Sequence, residues 1–211
     1  MMANSGFQNP RSARGASMIE MCFVLPVMLM LVLGVVDFAR AIQFNNILVA
    51  MSREGANLAS RTNANTANLQ QNIITALNST SNPLVMPTHG MIYITKIIGT
   101  HVSNCTDMTP TFCTCSTYPK VETQIRSILT NPNDVTLLPS RVWTCPTSFS
   151  NSDGSCINSS TWINPSQTSA TLPLTLCGGQ EIYAVETLYN YQVIVNYVMK
   201  TGPRLYSLTA L

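Results

Sequence analysis

Charged side chains are scarce in this sequence. Asp, Glu, Lys and Arg make up 9% of its 211 residues, against about a quarter of a typical soluble domain. The 11 basic residues form no cluster, and the formal net charge is +2. A protein that binds nucleic acid needs clustered Lys and Arg to contact phosphates. The sequence therefore excludes that class and predicts no nucleic-acid partner.

The usual sequence signals of enzymes are missing as well. There is no glycine-rich phosphate loop, no HExxH and no GxSxG. The acidic residues of the C-terminal half are scattered, so their spacing pairs none of them for acid–base chemistry. Cys113-Thr-Cys115 has one intervening residue, whereas zinc sites usually have two to four. We expect no catalytic residue, no cofactor and no metal, and hence no enzyme.

Cysteine is present, and its placement is informative. Six of the seven cysteines lie in the C-terminal half among Ser, Thr, Asn and Pro. An even set in such a region indicates a disulfide framework formed in an oxidising compartment. The sequence does not choose among the possible pairings. The candidate disulfide cysteines are Cys105, Cys113, Cys115, Cys145, Cys156 and Cys177.

One long apolar run lies near the N-terminus. Residues 16–36 number 21, and about 20 suffice to cross the hydrocarbon of a bilayer as a helix. Arg11 and Arg14 precede the run and favour a cytoplasmic N-terminus, which places the rest of the chain outside. Glu20 is the exception in the run, because a carboxylate there is costly unless it finds a partner. The candidate membrane-span residues are Met21, Cys22, Phe23, Pro26, Gly34 and Val36.

A series of short motifs begins at the same place. In order they are Arg14-Gly15, Ile19-Glu20, Leu25-Pro26, Gly34, Asp37-Phe38-Ala39-Arg40 and Arg53-Glu54-Gly55-Ala56. Together they resemble TadE-like proteins, which are minor pilin-like (pseudopilin) components of tight-adherence (Tad, or Flp) pilus systems, related to type IV pili. The resemblance covers roughly residues 14–61. Met21 and Cys22 depart from it, since the family usually has an aromatic and a small residue there.

The resemblance implies a function and a set of partners. A prepilin peptidase would cleave between Gly15 and Ala16, and Glu20 would pair with the N-terminal amine of a neighbouring subunit. The chain would then be a structural subunit of a Tad pilus or secretion apparatus, acting in pilus assembly and adhesion. Its partners would be other pilin-like subunits and Tad assembly proteins. It would sit as a single-pass protein in the bacterial inner membrane, with a periplasmic or extracellular C-terminal domain.

The chain divides into four segments on this interpretation. Residues 1–15 are a leader, 16–36 a transmembrane helix, 37–61 an extension of that helix, and 62–211 an extracytoplasmic α+β domain. Apolar and small residues recur at three- and four-residue steps along the extension, which predicts one packed helix face. The residues expected to pack the helix are Phe38, Gly55, Ala56 and Ala59.

Further elements are predicted in the C-terminal region. The patterns indicate helices over 67–77 and 119–129, strands over 91–98 and 141–145, a long loop over 146–179 and an alternating strand over 185–197. The last strand has an apolar, aromatic face that must be buried. We expect a pilin-like α+β fold, in which a small antiparallel sheet packs on the outer half of the long helix.

Two alternatives remain open. Ala39-Arg40-Ala41 has the small-x-small form of a signal-peptidase site, and cleavage there would release a secreted domain beginning at Ile42. The second alternative is a disulfide-rich binding module, secreted or tethered to the membrane and unrelated to pilus assembly. Replacing Glu20 separates the two classes, since only the pilin-like subunit needs its carboxylate.

Overall fold

The computed structural model describes residues 11–62, 66–99, 119–128, 138–150, 152–156, 161–162, 176, 179–193 and 202–211. For residues 11–17 and 161–162 the description is of the backbone alone. The elements in chain order are α1 (Arg11–Arg61), α2 (Ala67–Thr80), α3 (Met86–His89), β1 (Gly90–Ile98), β2 (Lys120–Arg126), β3 (Thr161–Trp162), β4 (Glu181–Asn190) and β5 (Arg204–Ala210).

Helix α1 is the longest element. It has 51 residues with Pro26 inside it, and at 1.5 Å per residue it is about 77 Å long. Its second half packs on the sheet, mainly on β4 and β5, while α2 lies beside it. The α+β fold with a long N-terminal apolar helix is confirmed.

The strands form one antiparallel sheet in the order β3-β2-β1-β4-β5. Strands β1 and β4 pair along their whole length, from Gly90 opposite Tyr189 to Ile98 opposite Glu181. Strand β5 returns beside β4, with Arg204 opposite Asn190. The predicted small antiparallel sheet is therefore confirmed, and the C-terminal residues supply one of its edge strands.

Both faces of this sheet are covered. Odd-numbered residues of β4, such as Val185 and Tyr189, join the core that α1 and α2 form with the sheet. Even-numbered residues such as Ala184 and Leu188 pack on the opposite side. There the cover is the irregular segment 138–149, which includes the buried side chains of Leu138 and Trp143. The sheet is the middle of three layers.

Two of the predicted elements are wrong. The expected helix at 119–129 is strand β2 over Lys120–Arg126, because these residues pair with β1, and tertiary pairing overrides local propensity. The expected strand at 141–145 is irregular. Its first amides donate to a side chain of β4 instead of a neighbouring strand. The predicted strand 185–197 runs too far, because β4 ends at Asn190 and residues 191–193 are irregular. Residues 194–197 lie outside the described residues.

Candidate assembly helix

The first half of α1 is an uncovered apolar surface. Every residue from Met18 to Val36 is exposed, and the large apolar side chains among them are 38% to 75% exposed. The mean hydropathy of the most apolar 18-residue window is 2.6. A soluble domain rarely exposes so large an apolar patch. By length and composition this helix can cross a membrane, and a signal sequence would have the same character.

Glu20 lies near the start of this surface, with its side chain exposed. Gly15 and Ala16 lie in the same helix, where the structure describes only the backbone. Ala16 precedes Glu20 by four residues, which is about 6 Å along a helix. A chain beginning at Ala16 would therefore carry an ammonium and a carboxylate about one turn apart. Two such charges in a poorly hydrated place stabilise each other or those of a neighbouring chain.

The other predicted span residues differ in their exposure and chemistry. Met21 and Phe23 are exposed apolar side chains, and Cys22 is an exposed free thiol. Pro26 lacks the amide that would donate to the carbonyl of Cys22. A Cβ added at Gly34 would meet no atom within 4 Å. Nothing in the described part of the chain therefore requires a glycine there.

Burial of α1 begins directly after the exposed segment. Asp37 is half-buried, and the Tyr191 hydroxyl donates to its carboxylate and, at 3.1 Å, to its backbone carbonyl. Phe44 is the first fully buried residue of α1 and packs edge-to-face with Tyr189 and Tyr191, at centroid distances of 5.8 and 5.4 Å. The Arg40 guanidinium lies 5.6 Å from the Phe44 ring centroid. The sheet thus holds the helix directly at the end of the exposed segment.

Small residues let the second half of α1 approach the sheet closely. Ala56 and Ala59 are fully buried. A Cβ at Gly55 would lie 2.9 Å from Leu77 Cδ1 and 3.0 Å from Val185 Cγ1, so a larger side chain does not fit without movement. Phe38 does not join this contact, since it is 69% exposed.

Buried hydroxyl groups fix the register between helix and sheet. The Ser52 hydroxyl lies 2.9 Å from Ser207 Oγ and 3.0 Å from Thr209 Oγ1 on β5. The Thr187 hydroxyl of β4 donates to the carbonyl of Leu48 at 3.1 Å. Hydrogen bonds are directional, whereas apolar contacts are not. These bonds therefore select one rotation and one height of α1 against the sheet.

A buried carboxylate holds the segment on the opposite side. Glu186 is fully buried and accepts hydrogen bonds from the Arg141 amide (2.8 Å), the Val142 amide (3.1 Å), the Ser140 hydroxyl and the Tyr206 hydroxyl (3.1 Å). Burial raises the pKa of the Glu186 carboxyl above its ordinary value, although these donors act in the opposite direction. Sequence reasoning missed this group, because its donors lie 20 to 46 residues away along the chain.

Lys96 is a second buried charge. Its side chain is 5% exposed, and Nζ lies 2.6 Å from Glu122 Oε2 and 3.0 Å from Glu181 Oε1. Burial disfavours the ammonium, but the hydrogen bonds that it donates to the two carboxylates outweigh this effect, so the pKa of Lys96 lies above its ordinary value. The three residues lie on β1, β2 and β4. The ion pairs therefore join the three central strands at one end of the sheet.

One disulfide is present in the described residues, between Cys145 and Cys156. It ties the segment that covers the sheet to residues 154–156, which hydrogen-bond to the outer edge of β2. The other candidate disulfide cysteines, Cys105, Cys113, Cys115 and Cys177, lie outside the described residues. Within the described ranges, no three His, Cys, Asp or Glu side chains are grouped so that they could hold a metal ion.

Comparison with known proteins adds one finding. Residues 15–57 match the family model for TadE-like protein. The match covers 43 of the 211 residues, including all of the exposed apolar segment and most of the packed half of α1. The resemblance seen in the sequence is therefore confirmed for this helix. No curated protein and no solved structure matched the chain.

Proposed function

We propose that this chain is a minor pilin-like structural subunit of a Tad pilus or a related secretion apparatus. It acts in pilus assembly and adhesion, and it is not an enzyme. The observation that carries the proposal is α1 itself. One unbroken helix is apolar and uncovered over Met18–Val36 and is then fixed to a folded domain. The match of residues 15–57 to TadE-like protein supports the same function.

The continuous helix gives the subunit a rigid connection. No linker separates the apolar segment from the domain, because the Tyr191–Asp37 contact begins where the exposed segment ends. In the inner membrane, with the N-terminus in the cytoplasm, the domain would stand in the periplasm at a fixed height. After transfer to a pilus, the same apolar segment would pack among the helices of other pilin-like subunits. Both surroundings remove the apolar surface from water.

Processing would prepare that transfer. Cleavage between Gly15 and Ala16 by a prepilin peptidase creates an ammonium close to Glu20. In the assembly the carboxylate of one subunit would neutralise the amine of its neighbour. Such a pair, in surroundings of low polarity, penalises any arrangement that leaves one charge alone. Glu20 would therefore set the register between neighbouring helices.

The signal-peptidase alternative gains no support from the fold. Ala39-Arg40-Ala41 lies inside α1, and Ala41 packs against the core. Asp37, on the other side of that motif, is bonded to Tyr191. A cut after Ala41 would separate Asp37 from the domain that holds it. The disulfide Cys145–Cys156 is compatible with either class of function.

The test is Glu20→Gln, with Glu54→Gln as its matched control. Both carboxylates are exposed on α1, but Glu54 lies far from the apolar segment. Leaving a buried charge unpaired costs about 3–5 kcal/mol, so we expect the Glu20 variant to enter assembled pili at least about a hundredfold less often. The Glu54 variant should assemble normally. The readout is the amount of the chain in sheared, purified pili relative to the membrane fraction.

Normal assembly of the Glu20 variant would contradict the role given to this carboxylate. Equal loss in both variants would contradict it as well, because the effect would then be one of helix charge in general. The unfolding temperature of the domain in detergent is the fold control, because both variants should unfold at the wild-type temperature.

A further inference from the structure

One end of the folded domain faces the apolar segment of α1. We call it the proximal rim and define it by Phe38, Arg40, Tyr191 and Arg204. Phe38 and Arg40 are exposed residues of α1, directly after the apolar segment. Tyr191 follows β4, and Arg204 is the exposed first residue of β5. Tyr191 and Arg40 contact the Phe44 ring, and Tyr191 also bonds to Asp37, whereas the Phe38 and Arg204 side chains are exposed.

The helix geometry sets the height of the rim above a membrane. From Val36 to Arg40 is four residues, or about 6 Å. The polar headgroup layer of a bilayer is about 5–8 Å thick on each side of the hydrocarbon. If Met18–Val36 spans the hydrocarbon, as the proposed function requires, Arg40 lies within that layer. Phe38 then lies at the hydrocarbon boundary, where aromatic rings of membrane proteins gather.

The sheet places the start of β5, and with it Arg204, at the same end of the domain. The Tyr191 hydroxyl donates to the Asp37 carbonyl at 3.1 Å, and the Tyr191 amide donates to the Pro203 carbonyl at 3.3 Å. Arg204 follows Pro203 and pairs with Asn190 at the same sheet end. Two hydrogen bonds thus connect the start of β5 with the helical turn that leaves the membrane. The domain cannot tilt away without breaking them.

The charge of the rim suits an anionic surface. Among the described residues that define it, the exposed charged side chains are Arg40 and Arg204, and the nearby Asp37 carboxylate accepts the Tyr191 hydroxyl. Arg40 also lies over the Phe44 ring, which anchors the guanidinium at its place on the helix. A guanidinium is a planar donor that matches phosphate oxygens. The next arginines along α1, Arg53 and Arg61, are about 25 Å or more from Val36 along the helix.

We propose that the proximal rim binds the headgroups of anionic phospholipids in the leaflet that the domain faces. Arg40 and Arg204 contact the phosphates, and Phe38 enters the hydrocarbon boundary between them. The proposal rests on the proposed membrane span. It assigns to the subunit a lipid-bound resting position, which must be given up when the subunit moves into an assembly.

The experiment uses the full chain in nanodiscs that contain equal amounts of phosphatidylglycerol and phosphatidylcholine. Native mass spectrometry measures the ratio of the two lipids that the released protein retains. The test variant is Arg40→Gln with Arg204→Gln. The matched control is Arg53→Gln with Arg61→Gln, which removes the same amount of charge from exposed sites of α1 outside the rim. Both variants keep Arg11 and Arg14, so any lipid contact of these two residues contributes equally to the two measured ratios.

We expect the rim variant to lower the ratio of retained phosphatidylglycerol to phosphatidylcholine about fivefold or more relative to wild type. The control should leave the ratio unchanged, and higher salt should reduce the difference between the variants. Equal ratios in the two variants would overturn the rim proposal while leaving the span intact. A chain that elutes apart from the nanodiscs would overturn the span and the rim proposal together.

A second copy of the chain is the competing occupant of the rim. If the rim variant keeps the lipid ratio but loses self-association in detergent, measured by light scattering, the rim is a contact between subunits and the lipid proposal is wrong. If self-association is unchanged while the lipid ratio falls, the lipid proposal stands.

Discussion

The two halves of α1 are the same helix in different surroundings. Over Met18–Val36 every side chain is exposed, whereas Phe44, Leu48, Met51, Ala56 and Ala59 of the second half are buried. Ser52 and Gly55 are buried as well. With them the buried residues recur at three- and four-residue steps, so they form one face, and mainly polar residues occupy the other. Apart from Glu20, the first half is apolar on all faces. A sheet can cover only one face of a helix, so the first half needs a partner that surrounds it.

The distribution of apolar residues around the helix, more than their number, determines what each half of α1 can pack against. An apolar stripe on one face of a helix can be buried against the sheet of the same chain. An all-round pattern requires lipid or other helices. The small residues have different meanings in the two halves as well. Gly55 lies against Leu77 and Val185, while Gly34 faces open space.

The same substitution in the two halves should give the largest difference. Leu48 is fully buried and Leu31 is exposed. We expect Leu48→Ala to lower the free energy of unfolding of the domain by about 2–5 kcal/mol, and Leu31→Ala to change it by less than about 0.5 kcal/mol. Urea unfolding in mild detergent, followed by tryptophan fluorescence, measures both. Similar losses would mean that the first half also packs within the chain.

A lysine placed in each half should affect membrane insertion, and here the larger effect is expected in the first half. Val27 lies near the middle of the apolar segment, and Asn46 is an exposed residue of the second half. Val27→Lys should weaken membrane insertion by about 2.5–3.5 kcal/mol, whereas Asn46→Lys should leave it unchanged. The fraction of chain that resists carbonate extraction from membranes measures this. Undiminished retention of the Val27 variant would argue against a membrane span.

The two glycines give a smaller and sharper contrast. Gly55→Val adds methyl groups where a Cβ alone would already lie 2.9 Å from Leu77 Cδ1. Overpacking of this kind costs about 1–3 kcal/mol. Gly34→Val meets nothing within 4 Å, so the thermal unfolding of the domain should not change. Calorimetry of both variants in detergent tests the contrast. A Gly55 variant that unfolds at the wild-type temperature would contradict the expected contrast between the two glycines.

Features with a local pattern could be predicted from the sequence. The apolar run of α1, its one-sided continuation and the alternating strand around Val185 are each encoded in neighbouring residues. Lys120–Arg126 was ambiguous, because Val121 and Ile125 are spaced four apart, as on a helix face. Both are buried in the sheet. The pairing of β2 with β1 decided the outcome, and no local signal reveals that partner.

The layer behind the sheet was beyond prediction for a related reason. The amides of Arg141 and Val142 donate to Glu186, and the Trp143 amide donates to the Ser140 hydroxyl. These bonds take the place of the strand predicted at 141–145. A carboxylate in an alternating strand ordinarily faces water, so its burial depends on donors that the distant segment supplies. The role of Ser52 between helix and β5 is likewise visible only in three dimensions.

The most direct test of the pilin-like assignment is the N-terminus of the mature chain, isolated from the cells that make it and identified by mass spectrometry. We predict a start at Ala16, and Gly15→Val should abolish it and leave the precursor uncut. A start at Ile42 would contradict the account, because the apolar half of α1 would then be a discarded signal. A wild-type chain that keeps its first 15 residues would contradict the processing step and leave only a membrane anchor.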